Sequence, residues 1–390
     1  MRILFINQFF WPDAAPTGLL LEDVTRELAA RGHAVEVLCG SGCYEAKTTA
    51  PPPPAVIHRV SDSDYSRGRL GRLISWCAFL VRAGFRSLFL PRYDLVVAMT
   101  TPPGLSYLAW MHRLRGARFW IWEMDLYPDV AVATGVLRSG SIAARLSEAV
   151  MDMPRRRADG VLVLGDCMRK RLTDRGLPEP RLKVAENWAD GSQIIPSPMP
   201  PAPPFQILYS GNLGVVHDIE TISSVLELLQ DDARFRFLFA GGGVRFQELR
   251  SFCLRRRLKN VEFLPYQDAK SFSRRLAACH VGLVTLRPGC EGTVVPSKLY
   301  SLLAAGRPVL YIGPETASPA SALRENRCGW SLNSGDAMGV VAVLWGIAGR
   351  PEVLQEYSDN GRTGFLARYD KRIAVPRLTS LLLENGNHSQ

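Results

Sequence analysis

The chain has 390 residues, 47% of them hydrophobic and 22% charged, with a net charge of +10. That length is too great for one ordinary core and predicts two domains, and the composition is that of a soluble globular protein. No run reaches ~18 uninterrupted apolar residues, so no membrane-spanning helix is implied, while the positive charge suits an anionic partner such as nucleotide phosphate, a membrane surface or nucleic acid.

The first half alternates strand-like and helix-like segments. Ile3–Ile6 reads as a fully apolar strand, with no signal-peptide cleavage pattern after it. Thr17–Arg31 is an amphipathic helix with Leu20, Val24 and Leu28 spaced by four, closed by Gly32 and His33. Further strands are predicted at Ala34–Leu38, Leu95–Thr100, Arg118–Trp122 and Gly160–Leu164. Apolar strands alternating with helices imply a parallel sheet covered on both faces.

Asp190–Phe205, DGSQIIPSPMPPAPPF, is too rich in proline for a helix or central strand and reads as a semi-rigid linker. The alternation then restarts with strands at Gln206–Tyr209, Phe235–Ala240, Val261–Pro265, Val281–Leu286 and Val309–Ile312. The expected fold class is therefore α/β, with two Rossmann-like domains facing across a cleft: residues 1–190, a linker over 191–205, and residues 206–362. Ligands in such sheets bind beyond the carboxyl ends of the strands, where the strand order reverses.

Eight cysteines are scattered without C-x-x-C spacing, and Cys279–His280 has no second pair at metal-ligand spacing. Cys39 and Cys43 are close enough in sequence to meet, but reduced thiols and a cytoplasmic setting are the expectation. The loop after the first strand, NQFFWPDAAPTG, lacks the G-x-G-x-x-G fingerprint, and no Walker, G-x-S-x-G or H-E-x-x-H motif occurs. A serine hydrolase and a zinc protease have no support.

Chemistry gathers in the second half. YSGNLG (Tyr209–Gly214) and FAGGG (Phe239–Gly243) each follow a strand and precede a helix. Glycine there lets backbone N–H groups approach a ligand, and a helix N-terminus favours phosphate. Lys298 begins a third helix, where the dipole disfavours a cation unless an anion is bound.

These residues resemble family 4 glycosyltransferases of the two-domain GT-B fold, and in particular the bacterial polysaccharide branch that includes fucosaminyltransferases and colanic acid glycosyltransferases. The resemblance is carried, in order, by TGLLLEDVTRELAARGHAVEVL, WEMDLYPDVAVATG, KVAENWAD, YSGNLGVVHDIETI, FLFAGGG, NVEFLPYQ and VVPSKLYSLLAAGRPVLYIG. It implies an acceptor-binding first domain, a second domain for the nucleotide sugar, and a C-terminal helical segment over 363–390 that crosses back. It implies retaining transfer without a protein-bound metal, and no cofactor beyond a nucleotide-sugar co-substrate, expected to be a UDP-sugar.

The resemblance also assigns roles. Gly18 would let the first loop approach the diphosphate; Asn212, Gly214 and Gly242 would line the phosphate side. Tyr266 ends the segment that meets the base. Glu291, Val294, Val295 and Ser297 would wrap the sugar and diphosphate. Lys298, backed by Arg287 and Arg245, would neutralise the departing diphosphate. Where many members carry two glutamates eight positions apart, this chain has Thr293 and Ser301; Ser301 still offers the ribose a weaker, uncharged acceptor.

A histidine common in the first domain is absent, and Asp125 in WIWEMDLYPD is the candidate acceptor or sugar contact. It reads equally as a carboxylate capping the turn at Pro128. His217 is either a site residue or a helix-start residue facing solvent. His33 is expected to be structural and His112 to lie on a helix surface.

Arg67–Tyr93 mixes arginines (Arg67, Arg69, Arg72, Arg82, Arg86) with Trp76, Phe79, Phe85 and Phe89. Such a helix fits an anionic membrane interface, and equally a core helix whose arginines face water. The expected partners are a nucleotide-sugar donor, a glycan or lipid-linked acceptor and a peripheral contact with anionic membrane, with no nucleic acid; the expected location is the cytoplasm, at the inner face of the membrane. Two other classes share the architecture: a nucleotide-sugar 2-epimerase, and a catalytically weak nucleotide-sugar-binding subunit.

Overall fold

The structure, a computed structural model, describes residues 1–42, 51–62, 68–266 and 269–384. Cys43, Arg67 and the side chains of Arg69 and Arg72 lie outside the described residues. The chain divides into two compact units, Met1–Glu186 with Val375–Gln390, and Asn187–Ala374.

The first unit is built on β1 (Arg2–Ile6), β2 (Ala34–Gly40), β3 (Val56–Val60), β4 (Leu95–Ala98), β5 (Arg118–Trp122), β6 (Gly160–Val163) and β7 (Leu182–Val184). They form one sheet in the order β3-β2-β1-β4-β5-β6-β7, and every pairing is parallel. The strand order reverses between β1 and β4. The central strands are uninterrupted apolar runs because both faces of a parallel sheet are covered. At the start of the following helix, Pro16–Ala30, Gly18 is buried: a Cβ there would meet the Phe9 carbonyl at 3.2 Å.

The second unit repeats the plan with β8 (Phe205–Asn212), β9 (Phe235–Gly242), β10 (Val261–Leu264), β11 (Val281–Thr285), β12 (Val309–Ile312) and β13 (Gly329–Leu332). Their order is β10-β9-β8-β11-β12-β13, again all parallel, with the reversal between β8 and β11. Register places Tyr209 beside Phe239 and Phe239 beside Phe263, and the three rings stack with centroids 6.0 and 5.4 Å apart. Aromatic stacking of this kind adds to the area the rings bury.

Two expectations change here. The glycine-rich stretches after β8 and β9 are not loops at first: the ladder continues through them, pairing Gly211 with Gly241 and Asn212 with Gly242. Gly241, at φ +138°, is forced by that approach, since a Cβ would lie 2.2 Å from the Gly211 carbonyl oxygen. The proline-rich segment, read as a linker, groups with the second unit. Buried Arg307 donates to the Ser197 and Pro198 carbonyls and to Leu276 and Ala277, while His280 Nε2 lies 3.1 Å from the Pro200 carbonyl.

Candidate active site

Beyond the reversal point of the second sheet, three side chains converge. Lys298 is the first residue of the helix Lys298–Ala304, and its Nζ donates to the Tyr209 hydroxyl at 2.8 Å. The same ammonium sits 4.3 Å from the Tyr209 ring centroid and 3.5 Å from His217 Nε2. Tyr209 in turn donates to the Asn212 carbonyl at 2.9 Å. His217 Nδ1 lies 2.7 Å from the Thr285 carbonyl, at the end of β11. A carbonyl only accepts, so Nδ1 carries the proton and Nε2 turns its lone pair to the lysine.

Electrostatics follow from burial. Burial pushes the Lys298 ammonium down to about 7, and it holds His217 well below its ordinary value, with the nearby Lys298 charge adding to the effect. Burial also raises Tyr209 well above its usual value. A neutral histidine and a neutral phenol therefore hold a lysine that has no counter-ion among the described residues. Such a lysine is poised for an anion. The expectation of a solvent-facing His217 does not hold: the ring is buried.

The other expected residues distribute around this cluster. Arg287 follows β11; its backbone N–H donates to the Val216 carbonyl and its guanidinium to the Val215 carbonyl at 3.3 Å, and no carboxylate pairs with it among the described residues. Arg245 is differently committed, its guanidinium 2.5 Å from Glu220 and 3.6 Å from Glu248. Its charge is locally neutralised. Glu291 is half-buried in a tight turn whose backbone bridges to Val294, with Gly292 at φ +72°. Val295 is buried, and Ser297 precedes the lysine helix without capping it through its side chain. Ser301 lies one turn beyond Lys298 on the same helix.

Asn212 and Gly214 adjoin each other, a Cβ on Gly214 being 3.4 Å from the Asn212 amide nitrogen. Gly242 lies against the exposed Tyr266 ring, 2.8 Å from where its Cβ would be. Tyr209 and Thr285 were not singled out from the sequence; an aromatic and a threonine inside apolar strands look like ordinary core.

Gly18 and Asp125 belong to the first unit. Asp125 follows β5; its N–H donates to Thr100 Oγ1, and its half-buried carboxyl has no hydrogen-bond or ionic partner among the described residues. Burial, with the charge of Glu123 behind it, pushes that carboxyl up to about 6. No side-chain cap on the following turn is seen, since Pro128 precedes the short helix Asp129–Ala133. Its sequence neighbour Glu123 turns elsewhere, Oε1 pairing with Arg155 at 2.6 Å, while its buried Oε2 meets no hydrogen-bond donor among the described residues.

His112 departs from expectation. It is buried between the helices Gly68–Leu88 and Leu105–Arg113, 3.0 Å from Ser87 Oγ, and burial lowers it to about 4. His33 caps the first helix as expected, donating its N–H to the Leu28 carbonyl.

The fold is a two-domain α/β architecture of the GT-B type. A solved structure of HepE from Anabaena in complex with UDP-glucose superposes with a TM-score of 0.70 at 14% identity, covering 98% of this chain and 99% of that one. The sequence model for the "Glycosyl transferase 4-like domain" matches residues 19–188. "Probable glycosyltransferase WbjE" of Pseudomonas aeruginosa is 28% identical over 367 residues, 88% of each chain. "Putative colanic acid biosynthesis glycosyl transferase WcaI" of Escherichia coli K12 is 24% identical over 338 residues, 78% of this chain and 82% of that one. Residues 19–188 thus match a glycosyl transferase 4-like domain, and the chain, similar over most of its length to glycosyltransferases, one of them of colanic acid biosynthesis, is a glycosyltransferase.

Proposed function

We propose that this glycosyltransferase takes a UDP-sugar as donor and moves the sugar, with retention and without a protein-bound metal, to a lipid-linked glycan at the inner face of the membrane. The observation that carries the donor half is Lys298, an ammonium held by Tyr209 and His217 with no counter-ion among the described residues. As the glycosidic bond breaks, charge grows on the leaving diphosphate; a pre-positioned cation in a desolvated site stabilises that charge without reorganising. Arg287, which pairs with no carboxylate among the described residues, is the candidate second cation. The oxocarbenium-like sugar left behind is steadied by a carboxylate, for which Glu291 is the candidate.

On the first unit, Asp125 is assigned to an acceptor hydroxyl, because beyond the end of β5 its carboxyl has no partner among the described residues. The helix Gly68–Leu88, with Arg82, Arg86 and exposed Phe85, is assigned to the membrane surface.

The test is a donor screen: the enzyme is incubated with UDP-, GDP- and dTDP-sugars and free nucleotide diphosphate is measured. Release from a UDP-sugar, with the anomeric configuration kept in the product and undiminished by chelator, is expected. Sugar interconversion without transfer, or tight binding with no release from any donor, overturns the reading.

A further inference from the structure

We infer that Gln8, Trp76 and Asp125 form a subsite for the terminal sugar of the acceptor, and that this sugar is an uncharged pyranose; an acidic sugar or a bare lipid phosphate is refused there. The inference rests on the transferase reading above and names the class of its acceptor.

The three residues reach one place from separate elements. The strand order of the first sheet reverses between β1 and β4. Gln8 follows β1, and its backbone N–H donates to the Thr101 carbonyl at 3.0 Å, just past β4. Asp125 follows β5, its N–H held by Thr100 Oγ1 at 3.2 Å. The helix Gly68–Leu88 closes the third side. Its Ser75 Oγ accepts from the Gln8 amide at 3.0 Å, and its Trp76 ring meets Tyr127 edge-on, with centroids 6.2 Å apart. Ligands of open parallel sheets bind beyond the strand ends at such a reversal.

Each of the three keeps a polar atom in reserve. Gln8 is 1% exposed. Its Nε2 donates to the Asp62 carboxylate and to Ser75, both at 3.0 Å. A carboxylate only accepts, so the bond to Asp62 fixes which end of the amide is the nitrogen. Oε1 is then left buried with no donor among the described residues. The Trp76 indole Nε1 is likewise buried, with no acceptor among the described residues. The Asp125 carboxyl has no partner among them either. A buried donor or acceptor left unmade costs about 1–3 kcal/mol. A ligand that both donates and accepts satisfies the whole set. Neighbouring hydroxyls of a pyranose do this: one accepts from the indole, and others donate to the amide oxygen and the carboxylate.

Charge selects among sugars. The set offers a neutral N–H, a neutral carbonyl and a carboxylate. Glu123 lines a cavity with Asp125, Thr100, Ser106 and Tyr127, but that cavity is only about 10 Å³, the least that holds a water. Glu123 therefore adds negative charge behind Asp125 without touching a sugar. The arginines on neighbouring elements are turned to other partners. Arg59 donates to the Trp11 and Gly40 carbonyls, Arg82 to the Ser61 carbonyl at 2.7 Å, and Arg155 pairs with Glu123 and Asp152. A carboxylate or phosphate on the acceptor would meet the Asp125 charge with no cation of its own among the described residues. The reaction that supplies this acceptor is then itself a transfer of a neutral sugar, and the chain extends a glycan instead of loading the first sugar onto lipid phosphate.

The experiment uses the full chain and the donor that the screen above identifies. Transfer is measured onto octyl glycosides of glucose, galactose, mannose and N-acetylglucosamine, onto octyl glucuronide, and onto dodecyl phosphate. At least one neutral glycoside should exceed both anionic probes in kcat/KM by about tenfold or more, since like charges brought together cost several kcal/mol. Trp76→Phe keeps a ring and loses the N–H. It should lower kcat/KM for that glycoside about tenfold without lowering Tm, because no bond within the protein is lost. Asp125→Asn should narrow the preference against the glucuronide, a ratio that a purely structural role would not move. The inference is overturned if the glucuronide or the phosphate is used as well as the neutral glycosides. It is overturned too if the donor is hydrolysed and no neutral glycoside is used, or if Trp76→Phe transfers like wild type. Absence of diphosphate release from every donor defeats the transferase reading and this one with it, whereas hydrolysis with the wrong acceptor selectivity defeats this one alone.

Discussion

Lys298 Nζ lies 2.8 Å from the hydroxyl of Tyr209 and 4.3 Å from the centroid of the same ring. One buried phenol therefore holds the ammonium through both its oxygen and its π-face. The oxygen is fixed because it donates onward to the Asn212 carbonyl. Replacing Lys298 by alanine should lower donor turnover by about 10²- to 10³-fold, the usual cost of removing one charge-stabilising group. Tyr209→Phe keeps the ring and loses the hydroxyl, so it should cost about tenfold in kcat/KM. Turnover in Lys298→Ala equal to wild type would end the role assigned to this residue.

The same lysine sets a pH dependence. Only its ammonium form neutralises a diphosphate, and burial brings it down to about 7. Because kcat/KM reports the free enzyme, it should fall as pH rises through that value. A bound diphosphate favours the charged form, so kcat should hold to higher pH than kcat/KM. Lys298→Arg, which stays charged, should lose the alkaline limb. Stability runs with its own sign: the folded value lies below that of the unfolded chain, so between the two the unfolded chain binds more protons. The contribution of this residue to stability then rises with pH across that window and is least favourable below about 7. A kcat/KM profile flat from about pH 6 to 9 would contradict the assignment.

Much of this could be read from the chain before any coordinates. Ten of the strands sit at apolar runs whose pattern follows from burial on both faces. The strands that escaped notice, β3, β7 and β13, are edge strands or short ones with half-exposed residues, so no apolar run marks them. Lys298 stood out because a cation opens a helix. Of its holders, Tyr209 looks like core, and His217 reads equally as a site residue or a solvent-facing helix start until β8 and β11 are laid side by side. His112 misled for the same reason: its burial depends on the neighbouring helix, contributed by Ser87, and no local spacing encodes that. The glycines of β8 and β9 were legible as special positions, but Gly241 is required by strand contact as well as by any ligand.

A stability prediction concerns the first unit. Arg155 is buried with Glu123 at 2.6 Å and Asp152 at 2.9 Å, and it donates to the Tyr127 carbonyl. Asp152 also meets Arg175 at 2.6 Å, which reaches Asp129 at 2.7 Å. Arg155→Met fills the space but strands the Glu123 charge, and should cost about 3–5 kcal/mol. Two units need not unfold together, so the loss should appear in one transition of a denaturant titration and leave the other in place. An unchanged titration would show that the network contributes little.

Asp125 gives the last prediction, and it separates acceptor from donor. Its N–H is fixed by Thr100, its carboxyl has no partner among the described residues, and burial with the Glu123 charge raises it to about 6. The carboxylate is therefore charged at neutral pH and protonated below about 6, where it stops accepting a hydrogen bond from an acceptor hydroxyl. Transfer to acceptor should fall on the acid side of that value, while release of diphosphate to water should not follow it. Asp125→Asn keeps the size and loses the charge; the acceptor KM should rise about tenfold, in keeping with a lost charge-assisted hydrogen bond. Donor KM should stay as it was, because the donor cluster around Lys298 stands on the other unit. If donor hydrolysis and transfer fall together in Asp125→Asn, the residue serves the donor or the reacting sugar, and the acceptor assignment is wrong.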